Sequence, residues 1–567
     1  MNIFEKQKYG VLMILVIINT ILCTTSIIYN SKWFIFIMIL ALSTLMNSFY
    51  VLALLINWIY NLFVTKENTY YLQSENDPNL AIFVPCYNET IDELNLTYDS
   101  IYNQQNLSNK KILYTICDGN NETSKSVIQI FKPYISESYK VLNAYKTWDN
   151  IFEPLYIYFG IRNNFGFVII VKENNKGKRD SLALIRRILH YYNRRTEYDI
   201  NTQSNIENYF SKSFLNLFIT KTNKFLMKNI DNINSIKKLI SSTDNVSINS
   251  DSSIIDACIE HIDNSILDID YRDDNNKIDY IYGTDADTEL DSYCIYNLLI
   301  DMVRADVETV ASVGFVDLYM KDSFINPLKL YQFGEYYSAQ LLRRHFQSTI
   351  TKKVNCLSGC NQLIRICKET CGDEILDLFN KKPDKDCNIY KQILSTASED
   401  RNHVTLMFQL TPYIKTIQTL NAKVYTKVPL NFKDFLSQRK RWNLGTFTND
   451  SLILCNPNHK IIERFQAFVN MFINSLNTFV FISTINFIIR IIINPDWLML
   501  YLSTIIFIPI LYHLLTPFTK YRNTLKRTIY YYISYIFYLI CGPIINLTLH
   551  LYTLFKLDDF NWNIYKK

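Results

Sequence analysis

The chain has 567 residues, which at ~150 residues per domain allows three or four domains. Hydrophobic residues make up 49% and aromatic residues 14%, the balance of a globular part joined to a membrane part. A net charge of +5, spread in local clusters rather than one stripe, argues against nucleic acid as a partner. The 12 Cys lack the spacing of a small disulfide scaffold. Cys356, Cys360, Cys367, Cys371 and Cys387 cluster without tight knuckles or a nearby His, so they read as reduced thiols in a cytosolic domain rather than a zinc site.

Residues 11–28 and 34–56 are each long and apolar enough to span a bilayer, which takes ~20 residues, and no cleavage site follows the first. From about Asp77, short apolar runs alternate with polar stretches. Leu80–Val84, Ile112–Ile116, Phe167–Val171 and Tyr280–Tyr282 read as buried strands, with helical periods between them. That alternation indicates an α/β domain with a mainly parallel sheet. Residues 196–278, with the Asn/Asp/Ser-rich run 241–255, read as a variable surface insert. Residues 327–346 and 430–442 read as amphipathic helices at the membrane surface. Three further apolar stretches, 467–489, 497–515 and 529–555, bring the count to five spans. Lys520, Arg522, Lys526 and Arg527 place the last loop in the cytosol, together with the α/β body and the N-terminus. The same count puts Lys566 and Lys567 outside, unless Cys541-Gly542-Pro543 breaks the last helix.

The chemistry gathers at strand ends. Asp285 and Asp287 follow a buried strand two residues apart, so both can face one ligand. Hard cations such as Mn2+ or Mg2+ take oxygen ligands and are often completed by substrate phosphates. Such an ion neutralises the charge that grows on a leaving nucleoside diphosphate. Tyr87 closes the first strand and can stack on a base; Asp118 closes the second and can accept from a uracil N–H or a ribose hydroxyl. Lys176-Gly177-Lys178-Arg179 brings cations toward a diphosphate at a loop that Gly177 leaves open. Asp400, just before a helical run, is the candidate base for a sugar hydroxyl; alternatively it pairs with Arg401 or caps the helix. At 436–442, lipid attraction accounts for Arg439 and Lys440, while Gln438, Arg441 and Trp442 suit a terminal sugar stacked beside a diphosphate.

In this order VPCYNE, ICDG, KGKRDSL, TDADT, CLSGC, SEDR and QRKRW resemble the chitin synthases, processive family-2 glycosyltransferases, from about residue 80 to 455. The ending Asp558-Asp559-Phe560-Asn561-Trp562-Asn563 resembles the D-D-F-S-W-G close of the branch related to fungal class IV and V enzymes. The resemblance implies a glycosyltransferase-A-like, Rossmann-like cytosolic domain with a mostly parallel sheet, plus an α-helical transmembrane domain. Pro85, Tyr87, Glu89, Asp118, Lys178, Arg179 and Asp285 would bind the donor, and Asp287 with Asp285 the metal. Asp400 would be the catalytic base; Gln438, Arg441, Trp442, Glu399 and Arg401 would bind acceptor and diphosphate. Cys356, Leu357, Ser358, Gly359 and Cys360 would form a gating loop. Ser358, Ser398 and Lys440 stand where the family usually has Pro, Gly and Arg.

The implied reaction transfers N-acetylglucosamine from UDP-N-acetylglucosamine, with inversion, to the 4-hydroxyl of a growing β-1,4 chitin chain. The implied setting is multi-pass in the plasma membrane, with lipid, the chitin chain and a second copy of the chain as partners. The corresponding organisation is N-terminal helices over 1–64, a catalytic domain over 77–428, interfacial helices over 429–464, channel helices over 465–555 and a tail over 556–567. Two rivals stand beside this reading: a related synthase making a hyaluronan- or cellulose-like polymer, and a transporter that binds a nucleotide without turnover.

Overall fold

The computed structural model describes residues 3–28, 33–64, 78–107, 111–163, 165–195, 206–226, 277–320, 326–384, 386–493, 496–519 and 524–560. Two apolar helices come first, α1 (Ile3–Ile28) and α2 (Trp33–Val64). Strand β1 (Leu80–Cys86), helix α3 (Ile91–Tyr102), β2 (Lys111–Cys117) and α4 (Glu122–Phe131) open the α/β body. A hairpin, β3 (Ile135–Lys146) and β4 (Phe152–Arg162), precedes β5 (Phe165–Lys172), α5 (Lys178–Asn193) and α6 (Lys212–Leu226). Then come β6 (Tyr280–Gly283), β7 (Glu289–Leu290), α7 (Cys294–Arg304) and β8 (Thr309–Leu318). Helix α8 (Pro327–Ser338) runs on into π-helical turns at Ala339–Arg344 and Gln347–Thr351. Strand β9 (Gln362–Arg365), α9 (Asp373–Phe379), α10 (Ile389–Thr396), α11 (Glu399–Leu410) and β10 (Lys415–Thr426) complete the body. Five helices follow: α12 (Phe432–Cys455), α13 (Ile461–Ser475), α14 (Asn477–Ile493), α15 (Trp497–Thr519) and α16 (Leu525–Phe555).

Ten strands form one sheet in the order β3-β4-β5-β2-β1-β6-β9-β8-β10-β7. The centre, β5-β2-β1-β6, is parallel, as expected. Across the whole sheet, however, only four of the nine neighbouring pairs are parallel, so it is mixed rather than mainly parallel. The antiparallel pairs come from the hairpin β3–β4, which also pairs β4 with β5, from β9 between β6 and β8, and from β7 at the edge. Residues of β1, β5 and β8 are buried almost throughout because helices cover both faces. One face packs Ile185, Ile188, Phe214 and Phe218 of α5 and α6, the other Leu94, Tyr98, Val127 and Leu298 of α3, α4 and α7. The register aligns Cys86 with Cys117 and Cys117 with Val171, so the polar loops after β1, β2 and β5 open on one edge of the sheet.

Among the described residues, three helices are long and apolar enough to cross a membrane, α1, α2 and α16, or four spans if α13 and α14, bent by 81°, count as one. In α15 the apolar stretch is the shorter Ser503–Phe518. Side chains satisfy the backbone groups that the breaks in these helices release, as a lipid setting requires. Pro509 frees the carbonyl of Ile505, which accepts from Ser48 Oγ at 2.7 Å, and Pro517 frees that of His513, which accepts from Tyr531 OH at 3.0 Å. At the α13–α14 bend, Asn19 donates to Ser475 O (3.0 Å) and accepts from Phe479 N (3.0 Å).

Gly542 and Pro543 lie within α16 and do not end it. Helix α16 meets the catalytic body at both ends: Arg527 pairs with Asp317 of β8, and Lys556 O accepts from Lys440 Nζ of α12 (3.4 Å). Asp558 pairs with Lys8 at 3.0 Å, which brings the described tail to the start of α1. Lys520, Arg522, Lys566 and Lys567, and most of the 196–278 insert, lie outside the described residues.

Candidate active site

Three strand ends and two helix starts converge at the open edge. After β6, Thr284 donates to Cys360 O (3.1 Å) and fixes the turn that carries Asp285 and Asp287. Asp285 pairs with Lys178 at 2.5 Å. Asp287 makes no hydrogen bond to a described residue; burial, with Asp285, Glu89 and Glu93 adding to it, pushes its carboxyl up to about 6. Glu89 turns back onto its own loop and accepts from the backbone N–H of Tyr87 (2.7 Å) and Asn88 (3.1 Å). It thereby shapes the turn after Pro85 that presents the half-buried Tyr87.

Asp118 accepts from the N–H of Lys176 (2.9 Å) and from Lys172 Nζ (3.2 Å). Lys172 is fully buried and also holds Asp180 at 2.7 Å. Asp180 accepts in addition from Tyr145 OH (2.9 Å) and Trp148 N (3.1 Å). Burial alone would lower the Lys172 ammonium, but Asp180 and Asp118 outweigh it and keep the lysine charged. This network pins the β5–α5 loop, where Gly177 has φ +89° and leads into α5. Lys178, first in α5, then reaches Asp285 and lies 3.8 Å from Glu399.

Asp400 stands across from them at the start of α11. Its Oδ2 accepts from the Gly359 N–H at 2.8 Å, whereas the buried Oδ1 has no partner among the described residues. Burial pushes the Asp400 carboxyl up to about 6; Lys178 opposes this, and Glu399 and Asp285 add to it. Burial also raises the Glu399 carboxyl, but Lys178 and Arg441 outweigh it and hold Glu399 below its ordinary value. The loop that supplies Gly359 is braced by fully buried Leu357, by the Asn361 N–H donating to Ser358 O (3.0 Å), and by Ser358 Oγ with Cys360 Sγ (3.2 Å). Ser398, before the two acids, is left-handed (φ 49°, ψ 60°) and packs on Gly445 of α12. That backbone suits glycine, the usual family residue there.

Helix α12 carries Gln438, Arg441 and Trp442. Arg439 and Lys440, expected to meet lipid, are instead 2% exposed. Arg439 donates to Glu335 Oε2 through Nε (3.0 Å) and Nη2 (2.6 Å), lies 4.1 Å over the Trp442 ring and donates to Gln438 Oε1. Lys440 donates to the carbonyl of Asp559 at 2.9 Å. Arg441 makes no hydrogen bond or ion pair to a described residue, and its charge acts on Glu399.

Two expected site residues prove structural. Arg179 donates to the carbonyls of Phe379 (3.0 Å), Leu394 (3.2 Å) and Ala397 (3.3 Å) and to Asn402 Oδ1 (3.2 Å), so its guanidinium braces the approach to α11 rather than meeting a donor. Arg401 pairs with Asp450 at 3.2 Å and donates to Asn355 at 3.4 Å.

The second half of the chain, from before β6 to beyond α16, matches a family profile. The profile described as chitin synthase covers residues 260–566. The chain belongs to the chitin synthase family. Its activity is that of a chitin synthase, a glycosyltransferase acting on a nucleotide sugar, and its apolar helices mark it as a membrane protein. Chitin synthase 8 of Gibberella zeae is 29% identical over 99% of this chain and 78% of its own length. Chitin synthase 8 of Verticillium dahliae is 27% identical over 87% of this chain and 76% of its own. A mannosyltransferase from Pyrobaculum calidifontis, solved with GDP-Man and Mn2+, aligns over 88% of this chain at 10% identity and a TM-score of 0.36. These comparisons give no support to a hyaluronan- or cellulose-like synthase or to a nucleotide-binding transporter.

Three contributors to this chitin synthase site escaped the sequence reading: Lys172, Asp180 and Glu335. A lysine closing the otherwise apolar strand FGFVIIVK was the available signal for the first, because a buried cation demands buried acids. Nothing local marks Glu335, whose partner Arg439 is 104 residues away.

Proposed function

We propose that the site transfers N-acetylglucosamine from UDP-N-acetylglucosamine to the 4-hydroxyl of a chitin chain, with Asp400 Oδ1 accepting the hydroxyl proton. The observation that carries this is the asymmetry of Asp400: one oxygen fixed by the Gly359 N–H, the other buried and without a partner. A carboxylate pushed up to about 6 is a better base than an ordinary aspartate and is still mostly ionised at neutral pH. Direct attack by the acceptor inverts the α-linked donor to a β-linkage, and UDP leaves.

Pro85, Tyr87, Glu89, Asp118 and Lys178 line the donor side, with Lys178 set to meet the diphosphate. Among the described residues no three His, Cys, Asp or Glu side chains gather to hold a metal by themselves. The donor set still fits a divalent cation shared with a substrate. Asp287 carries a carboxylate with no hydrogen-bond partner among the described residues, raised by burial and further by neighbouring acids, whose repulsion a cation would relieve. Asp285 and Asp287 would hold Mn2+ or Mg2+ together with the diphosphate, and the ion supplies charge neutralisation for the leaving group. Arg441, whose charge acts on Glu399, and Trp442, whose ring Arg439 covers, receive the acceptor end together with Gln438 and Glu399. The apolar helices carry the polymer away from this edge through the plasma membrane, with the catalytic body in the cytosol.

The purified protein in lipid, given labelled UDP-N-acetylglucosamine, UDP-glucose or UDP-glucuronate, tests the assignment. Polymer forms only from the first and is digested by chitinase; a chitinase-resistant product contradicts the proposal. Trp442→Ala lowers polymer yield at least ~10-fold, through loss of the acceptor platform, while UDP affinity stays near wild type.

A further inference from the structure

The first turns of α1 and residues 557–560 meet against α10 and α12. Gln7 in the first turns of α1 accepts from the N–H of Ile389 at 2.7 Å, one of the donors at the start of α10 that have no partner within that helix. Lys8 pairs with Asp558 at 3.0 Å, and Phe4 meets Phe560 edge to face at 5.2 Å. Leu557 packs with Ile389, Ile393 and Ala397 of α10 and Leu444 of α12. From the other side, Lys440 of α12 donates to Asp559 O at 2.9 Å and lies 3.5 Å from its carboxylate. These contacts hold two elements that carry the chemistry. Helix α10 ends at Thr396, four residues before Asp400, and Tyr390 ties α10 to α12 through Thr448 O (3.0 Å). Lys440 immediately precedes Arg441 and Trp442.

We propose that the N-terminal turn of α1 and the tail Leu557–Phe560 form a clasp that positions the base-bearing start of α11 against the acceptor residues of α12, with Lys8, Asp558 and Lys440 as positioning residues. The inference rests on the roles given above to Asp400, Arg441 and Trp442. The geometry supplies the reason. Helix α12 is fixed on one side by Arg439 on Glu335, and Lys440 on the tail fixes the other. Release of the tail lets α12 rotate about the Arg439 anchor, which moves Arg441 and Trp442 away from Asp400 while β6 and the β5–α5 loop keep the donor side in place.

Lys8→Glu, Asp558→Lys and the combined reversal, each in the full chain in lipid nanodiscs, test this, with Asp400→Asn alongside. Each single reversal is expected to lower kcat about tenfold, the scale of a small misplacement. Donor KM stays within about twofold, the polymer shortens, and the combined reversal returns kcat to within about threefold of wild type. Wild-type kcat and polymer length in the single reversals overturn the clasp, as does a combined reversal no faster than either single one. A lower melting temperature with unchanged kcat per folded molecule also overturns it, because the contacts then serve stability alone. Asp400→Asn separates the two claims: turnover in that variant refutes the role of Asp400, whereas an inactive Asp400→Asn beside a fully active Lys8→Glu refutes the clasp alone.

Discussion

A methyl group added at Gly359 would lie 2.8 Å from Asp400 Oδ1 and 2.9 Å from Lys178 Nζ, closer than real Cβ contacts allow. Gly359→Ala should therefore displace the base and the donor-side lysine together, lowering kcat by ~100-fold, with the folded state retained. Steady-state UDP release with a circular-dichroism control checks this. The pH–rate profile belongs to the same scale. Asp400 works as a base only when ionised, so kcat/KM should rise as pH climbs through about 6 and level off above it. A profile flat from pH 5 to 8 contradicts that role. Much of this site was legible in the sequence, because an apolar run that ends in Asp or Lys places that residue at a strand end. What was not legible is which charges are already spent. Arg179 looked like a diphosphate ligand, yet its acceptors Phe379, Leu394 and Ala397 are 200 to 218 residues distant. No local pattern announces a partner at that separation.

Helix α12 is held by contacts that hydropathy does not record. Its composition near 439–440 suits a membrane surface, and the structure buries both cations in ion pairs with α8 and the tail. Removing one partner leaves a buried charge, so Glu335→Gln should cost about 2 kcal/mol, the usual 3–5 for a buried pair reduced for the partial exposure of Glu335. Thermal melts in detergent measure it, and an unchanged melting temperature would show that the pair contributes nothing. The Ser398–Gly445 contact gives a second test between elements. A Cβ at Gly445 would come within 2.2 Å of Ser398 Cβ, so Gly445→Ala should destabilise by ~1–3 kcal/mol. The loss should largely vanish in a Ser398→Gly background, where the obstruction is gone and the left-handed backbone is unstrained. Equal losses in both backgrounds would place the clash elsewhere. The edge hairpin β3–β4 went unread in the sequence for an opposite reason: residues 135–146 alternate exposed and half-buried positions and lack the solid apolar run that flagged β1 and β5.

At the scale of the whole chain, apolar stretches and basic loops point to a membrane part, and the contacts of α16 bear on how often the chain crosses it. A count of spans treats each long apolar helix as a passage from one side to the other. Helix α16 satisfies the length, yet both its ends meet polar partners: it runs along α8, from Arg527 on Asp317 to Lys556 beside Lys440, and turns Ile529, Ile533, Ile536, Ile540 and Ile544 outward. A protease site appended after Lys567 should therefore be cut from the cytosolic side only, and cleavage in sealed, right-side-out vesicles would contradict this placement. The account as a whole stands on one group, Asp400, with one oxygen held and the other free where donor and acceptor residues meet. Its most direct test is chitin synthesis from UDP-N-acetylglucosamine by the purified protein in lipid, wild type against Asp400→Asn. We predict that Asp400→Asn still binds UDP while its rate of polymer formation falls by ~100-fold or more; polymer formed at the wild-type rate would contradict the account.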